Sequence, residues 1–176
     1  MLSKIISVAE SFSLSGLIRH AHRNTSDISA LNIPFKPTLV QELMLENRAI
    51  LAGFKLIKEK ILENDIETVR RLLVNVKKAV LNHFIKEKIS LCMYIKAHNV
   101  NNSDRLEKLT TLKQEMDAVQ AMAFKFFSTY INGDIMIVQN IESMSKELEV
   151  IAEVIDLRLH REEKELFPMY VANDEE

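Results

Sequence analysis

The sequence predicts an all-α protein: an up-down-up-down four-helix bundle with an additional N-terminal helix. Three observations point there. Glycine and proline are scarce, at 3 residues each, while leucine, isoleucine, lysine and glutamate abound. That balance favours long helices over sheets and turns. Four long segments repeat apolar residues at helical spacing, and short polar breaks join them, which makes consecutive helices antiparallel neighbours. The 176 residues, 47% of them hydrophobic, suffice for one domain with a real core.

Residues 3 to about 23 read as the first helix, with Ile5, Ile6, Ala9, Phe12, Leu17 and Ile18 on its apolar side. It ends in Arg19-His20-Ala21-His22-Arg23. Histidines two positions apart do not share a helix face, so this reads as a solvated basic turn rather than a metal site. Asn24 to Pro37 is a linker, kept extended by Pro34 and Pro37. Residues 1–37 thus form an N-terminal helix and linker, and residues 38–172 form the bundle domain.

Thr38 opens the first bundle helix, and Thr38 with Gln41 has the spacing of a capping box. The stripe is Val40, Leu43, Asn47, Ile50, Phe54, Ile57 and Ile61, in which Asn47 is out of place. Glu63-Asn64-Asp65 is a turn, and Asn64 with Glu67 is expected to cap the second helix. That helix runs to about Ala97 on the stripe Val69, Leu73, Val76, Val80, His83, Glu87 and Tyr94. His98 to Ser103 is a loop, with His98 expected to be exposed. The third helix, from about Asp104 to Ile131, carries Leu109, Leu112, Met116, Val119, Ala123, Phe126 and Tyr130. Asn132-Gly133 ends it, and Asp134 is placed to cap the fourth. The fourth runs from about Ile135 to Tyr170 on Ile141, Met144, Leu148, Ile151, Ile155, Arg158, Glu162, Leu166 and Met169. Pro168 is an expected perturbation near its end.

Each helix therefore brings a side chain to one question. His83 and Glu87 stand one turn apart where the stripe calls for Leu or Val, and so do Arg158 and Glu162; Asn47 and Met116 face the same level. Buried charges need partners. In one reading, Arg158 bridges Glu87 and Glu162 through charge-assisted hydrogen bonds, while His83 and Asn47 satisfy the remaining groups. Such a buried polar network fixes helix register more than it adds stability. In the other, His83, Glu87 and Glu162 hold a metal, since bundle cores build such sites from His and carboxylates one turn apart. The network is preferred. Arg158 is a permanent cation in the layer where a metal would sit, and two carboxylates with one imidazole are few for two metals.

Other classes are set aside. A net charge of −2 gives no electrostatic case for direct nucleic-acid binding. No apolar run approaches the ~20 residues of a membrane span, and the N-terminus has no signal-peptide pattern. The lone Cys92 excludes an internal disulfide framework, fits a cytoplasmic location and reads as a packed thiol. No nucleophile–base arrangement or phosphate loop is present, so a non-enzymatic protein with no catalytic residues and no cofactor is expected. The remaining class is a regulator that binds a protein. Its candidate surface is the outer side of the first two bundle helices, where Lys55, Lys58, Lys60, Arg70, Arg71, Lys77 and Lys78 form a basic run. Homo-oligomer formation is a third alternative.

Two resemblances enter at these residues. Glu46-Asn47-Arg48-Ala49-Ile50-Leu51, His83-Phe84-Ile85-Lys86-Glu87, Glu115-Met116-Asp117 and Glu162-Glu163-Lys164-Glu165-Leu166-Phe167-Pro168 resemble the hemerythrin-like (HHE cation-binding) four-helix bundles over about residues 38 to 170. That resemblance implies non-heme iron, with oxygen, redox or metal sensing or storage, and His83, Glu87 and Glu162 as retained ligands. It also implies His where this chain has Asn47, Met116 and Arg158. The run Leu39 to Phe54, His83-Phe84 and the run Ser145 to Arg158 resemble the regulator-of-sigma-D family of bacterial anti-sigma factors (the Rsd and AlgQ type), which similarly has Arg at the place of Arg158 and an acidic residue matching Glu162. That resemblance implies a transcription regulator that binds the promoter-recognition domain of a sigma factor.

Overall fold

The structure, a computed structural model, describes residues 33–131 and 141–172. The helix expected over residues 3–23, the Asn132-Gly133 break, the Asp134 cap and the start of the fourth bundle helix lie outside the described residues. Within them the fold is helical. Helix α1 spans Leu39–Leu62 and α2 spans Ile66–Lys86. The second rod continues through a π-helical stretch, Glu87–Cys92, into α3, Met93–Ala97. Helix α4 spans Ser103–Ile131. Helix α5, Ile141–Arg161, runs into a second π-helical stretch, Glu162–Leu166, and a 3-10 turn, Phe167–Met169. No described helix is long and apolar enough to cross a membrane.

The rods form a ring, with α1 and α4 each packed against both α2 and α5. Their directions follow from side-chain pairs. Glu42 meets Lys86, Glu46 meets His83, and Gly53 faces Val76, so α1 and α2 run antiparallel. Lys108 meets Glu165, Glu115 meets Arg161, and Tyr130 meets Glu147, so α4 and α5 do too. The stripes read from periodicity are the faces that turn inward: Leu43, Ile50, Phe54 and Ile57; Val69, Leu73, Val76 and Val80; and Leu109, Leu112, Met116, Val119, Ala123, Phe126 and Tyr130 are buried. Leu39 is buried where Val40 was expected to be, and Val40 and Ile61 sit at the core's edge.

The helix starts differ from the expected caps. The Thr38 hydroxyl donates to Glu42 Oε1 at 2.8 Å and caps no backbone N–H, so there is no capping box with Gln41. Thr38 has helical backbone angles, φ −87° and ψ −7°, instead of the extended ones that aim a capping oxygen at the first N–H groups. At α2 the cap is Asp65, which accepts from the Thr68 N–H at 3.1 Å, not Asn64. Asn64 instead takes the left-handed conformation, φ 57°, that closes the turn.

Gly53 records the closeness of α1 and α2. A Cβ there would lie 2.6 Å from Val76 Cγ2, on a branched side chain that has little rotamer freedom. Gly53→Ala gains about 1 kcal/mol of helix propensity, but overpacking costs about 1–3 kcal/mol. The variant is expected to unfold at lower urea with an unchanged slope; a raised midpoint would show that the helices part easily.

At one end of the bundle an aromatic cluster ties the two ends of the described chain together. Phe35 stacks on Tyr170 with centroids 4.8 Å apart and lies 5.7 Å from Tyr94. The Lys36 N–H donates to Tyr170 Oη at 2.7 Å, and Tyr94 Oη donates to the Val171 carbonyl at 2.9 Å. His98 is exposed, with its ring stacked on Tyr94 at 4.0 Å.

Candidate functional site

The layer halfway along the bundle is polar. The buried polar side chains of the described residues are Asn47, His83, Glu87, Arg158 and Glu162, with exposures of 1%, 1%, 0%, 4% and 2%. Helix α1 brings Asn47, α2 brings His83, and the π stretch that follows it opens with Glu87. Helix α5 ends with Arg158 in its last turn, and its π stretch opens with Glu162. Met116 of α4 is buried.

Arg158 is the hub. Its Nη2 donates to Glu87 Oε2 at 3.3 Å, and its Nη1 is ion-paired with Glu162 Oε1, one turn on. The guanidinium carbon also sits 6.0 Å from the centre of the Phe84 ring, at the outer limit of a cation–π contact. Burial pulls the guanidinium below its ordinary pKa while the charge of Glu87 pushes back; it remains a cation, because arginine does not deprotonate in proteins. His83 faces three carboxylates. Its Nε2 lies 3.7 Å from Glu87 Oε2 and 3.8 Å from Glu162 Oε2, and its Nδ1 is 3.1 Å from Glu46 Oε2.

Asn47 departs from the expected network. Neither its Oδ1 nor its Nδ2 makes a hydrogen bond, so it does not satisfy the ionic groups. His83 Nε2, Glu87 Oε1 and Glu162 Oε2 are likewise without hydrogen-bond partners.

Periodicity did not reveal the shell around this layer. Glu46 lies one residue off the α1 stripe and is held by Lys86, whose own pKa is raised chiefly by that hydrogen bond. Arg161 binds both Glu115 oxygens at 2.5 Å and Glu165 Oε1 at 2.8 Å. That pairing raises the Arg161 pKa and lowers that of Glu165. The clamp joins α4 to α5 beside Arg158. Its sequence signal was an i,i+4 pair, Arg161 and Glu165, which competes with many similar pairs on any charged helix. Three cations of the basic run have acidic partners. Lys58 pairs with Glu149, Lys60 with Glu63 and, more loosely, Lys55 with Glu59. His160 is exposed on the outside of α5.

Cys92 ends the first π stretch and is 1% exposed. Burial, reinforced by the charge of Glu87, pushes its thiol up from 9.0 to about 12. Between those values the folded thiol keeps a proton that the unfolded chain releases. Stability therefore falls as pH rises through that window, by up to about 1.4 kcal/mol per pH unit. Comparing urea midpoints at about pH 8 and about pH 10, the wild type should lose more than Cys92→Ala; equal losses would place the thiol in contact with solvent.

Donor chemistry decides what the layer can hold. One ligand atom each from His83, Glu87 and Glu162 come within 4.8 Å of one another. A two-metal centre needs more donors than that. At the remaining inward positions stand a carboxamide, a thioether and a guanidinium. The guanidinium repels a dication at a cost of about 4 kcal/mol per unit charge at 4 Å. A di-metal centre does not fit these residues.

Residues 38–170 match the family described as the hemerythrin HHE cation binding domain. No curated protein matches the chain. No solved structure matches it either.

Proposed function

Since the chain belongs to the hemerythrin HHE cation-binding domain family, we propose that it is a member whose central charge is an arginine instead of a metal, and that it works by binding another protein. The observation that supports this reading is Arg158, 4% exposed and paired with both Glu87 and Glu162. Its guanidinium balances those carboxylates from inside the chain. Access supports a non-enzymatic role: His83 and Glu87, the pair suited to acid–base work, are 1% and 0% exposed, and Glu87 is bonded to Arg158. The protein is read as a cytoplasmic regulator. The resemblance to anti-sigma regulators at the positions of Arg158 and Glu162 makes the promoter-recognition domain of a sigma factor the first partner to test.

The first test is metal content and visible absorption of protein purified without chelators. Colourless, folded protein with far less than one metal per chain is the expected result. About two irons per chain with oxo-bridge absorption would overturn the reading. A second reading, a cation held by His83, Glu87 and Glu162, is favoured by the unpartnered atoms on those three residues. It predicts about one metal per chain in the same measurement. The partner is tested separately, by mixing with an isolated sigma promoter-recognition domain on a sizing column. Co-elution is expected, and separate elution at about 10 μM, where a specific regulatory complex holds together, would remove that candidate.

A further inference from the structure

The polar layer has a feature that a closed ionic network does not explain. The three donors that surround Arg158 each retain an atom with no hydrogen bond: His83 Nε2, Glu87 Oε1 and Glu162 Oε2. His83 Nε2 lies 3.7 Å from Glu87 Oε2, the oxygen that Arg158 holds, and 3.8 Å from Glu162 Oε2, and one ligand atom from each of the three residues falls within 4.8 Å of the others. In a tetrahedral site with bonds of about 2.1 Å, neighbouring ligand atoms lie about 3.4 Å apart, so side-chain movement on the order of 1 Å would bring one atom of each into range. Both carboxylates also sit at the start of a π-helical stretch, Glu87–Cys92 and Glu162–Leu166. Such stretches give up regular helical hydrogen bonding and recur where a side chain must be aimed.

We infer that Arg158 is a tethered cation locking a latent one-metal site, and that removing its charge opens His83, Glu87 and Glu162 to a single divalent transition ion. This rests on the reading that the native layer excludes metal. The guanidinium blocks a dication twice, by repulsion and by occupying the carboxylate oxygens that would ligate it. One imidazole and two carboxylates, with a fourth position left for water, form the donor set of an open zinc-type site. Cobalt(II) takes the same geometry and reports it by visible absorption.

The experiment titrates Co²⁺ into wild type, Arg158→Ala, Arg158→Gln and the double variant Arg158→Ala/His83→Ala, reading visible absorption, stoichiometry and thermal midpoint. Wild type should show neither absorption nor a shift. Arg158→Ala should bind about one ion per chain, at least about 100-fold more tightly than wild type, and its midpoint should rise with Co²⁺. The double variant should lose both responses. Arg158→Gln keeps the volume and removes the charge, so it separates repulsion from space. It should bind ahead of wild type, and binding by Arg158→Ala alone would make space, not charge, the lock and overturn the tethered-cation account. An Arg158→Ala chain that folds only when Co²⁺ is added supports the inference. Variants that fold and bind nothing, or that stay unfolded at about 1 mM Co²⁺, overturn it. Stoichiometric binding by wild type would instead overturn the metal-free reading, so the two failures are told apart.

Discussion

Arg158→Ala is expected to lower the stability of the apo protein by about 3–5 kcal/mol. The cost comes from what is left behind more than from the contact that is lost. Glu87 and Glu162 are 0% and 2% exposed, and Arg158 is the cation paired with both. Truncation leaves two carboxylates out of water, facing each other and His83, with no cation to balance them. Water could reach them only by opening the layer, and the Arg161–Glu115 clamp and the Glu46–Lys86 pair close it on two sides. Equilibrium urea unfolding checks the magnitude. A compensated variant, Arg158→Met with Glu87→Gln and Glu162→Gln, separates the causes. Removing the charges together with their partner should recover most of the loss, since replacing buried ion pairs by neutral groups of similar size is often close to neutral. If Arg158→Ala cost less than about 1 kcal/mol, the level of an exposed pair, the guanidinium would not be what neutralises the layer.

This also shows why part of the site was legible in the sequence. Ionisable residues on an otherwise apolar helical stripe announce burial, and His83, Glu87, Arg158 and Glu162 each fall on such a stripe. Antiparallel order then brings α2 and α5 to a common level, so their meeting in one layer follows from periodicity and topology together. Glu46 carried no such signal. It sits beside Asn47, off the stripe, and reaches His83 by leaning across the α1–α2 seam. The first π stretch was hidden for a different reason. Leu91, Cys92, Tyr94 and Ile95 are all buried, and an apolar run that dense satisfies an α or a π phase equally well. The caps turned on a choice among neighbouring acceptors. Asn64 and Asp65 both suit a helix start, and only the turn geometry, which needed a residue at positive φ, assigned the cap to Asp65.

Asn47→Leu should stabilise the protein, by about 1–2 kcal/mol. The carboxamide is 1% exposed, between Leu43 and Ile50 on the inward face of α1, and neither of its polar atoms has a hydrogen bond. An amide in that position has given up water without replacement, at a cost of about 1–3 kcal/mol. Leucine is close in volume, prefers the helix more and adds apolar area at about 25 cal/mol per Å²; crowding from its extra bulk offsets part of the gain. The expected result is a higher urea midpoint with the same slope. A loss of stability would show that the carboxamide is bonded in solution, by water or by an ion drawn into the layer, and the test can be repeated with Co²⁺ in the Arg158→Ala background. If Asn47 supplies its carbonyl as a further ligand to the opened site, Asn47→Leu should weaken cobalt binding there while still stabilising the wild type. If it supplies nothing, cobalt affinity should not change, and Asn47 is a buried polar group that costs stability in both states of the layer.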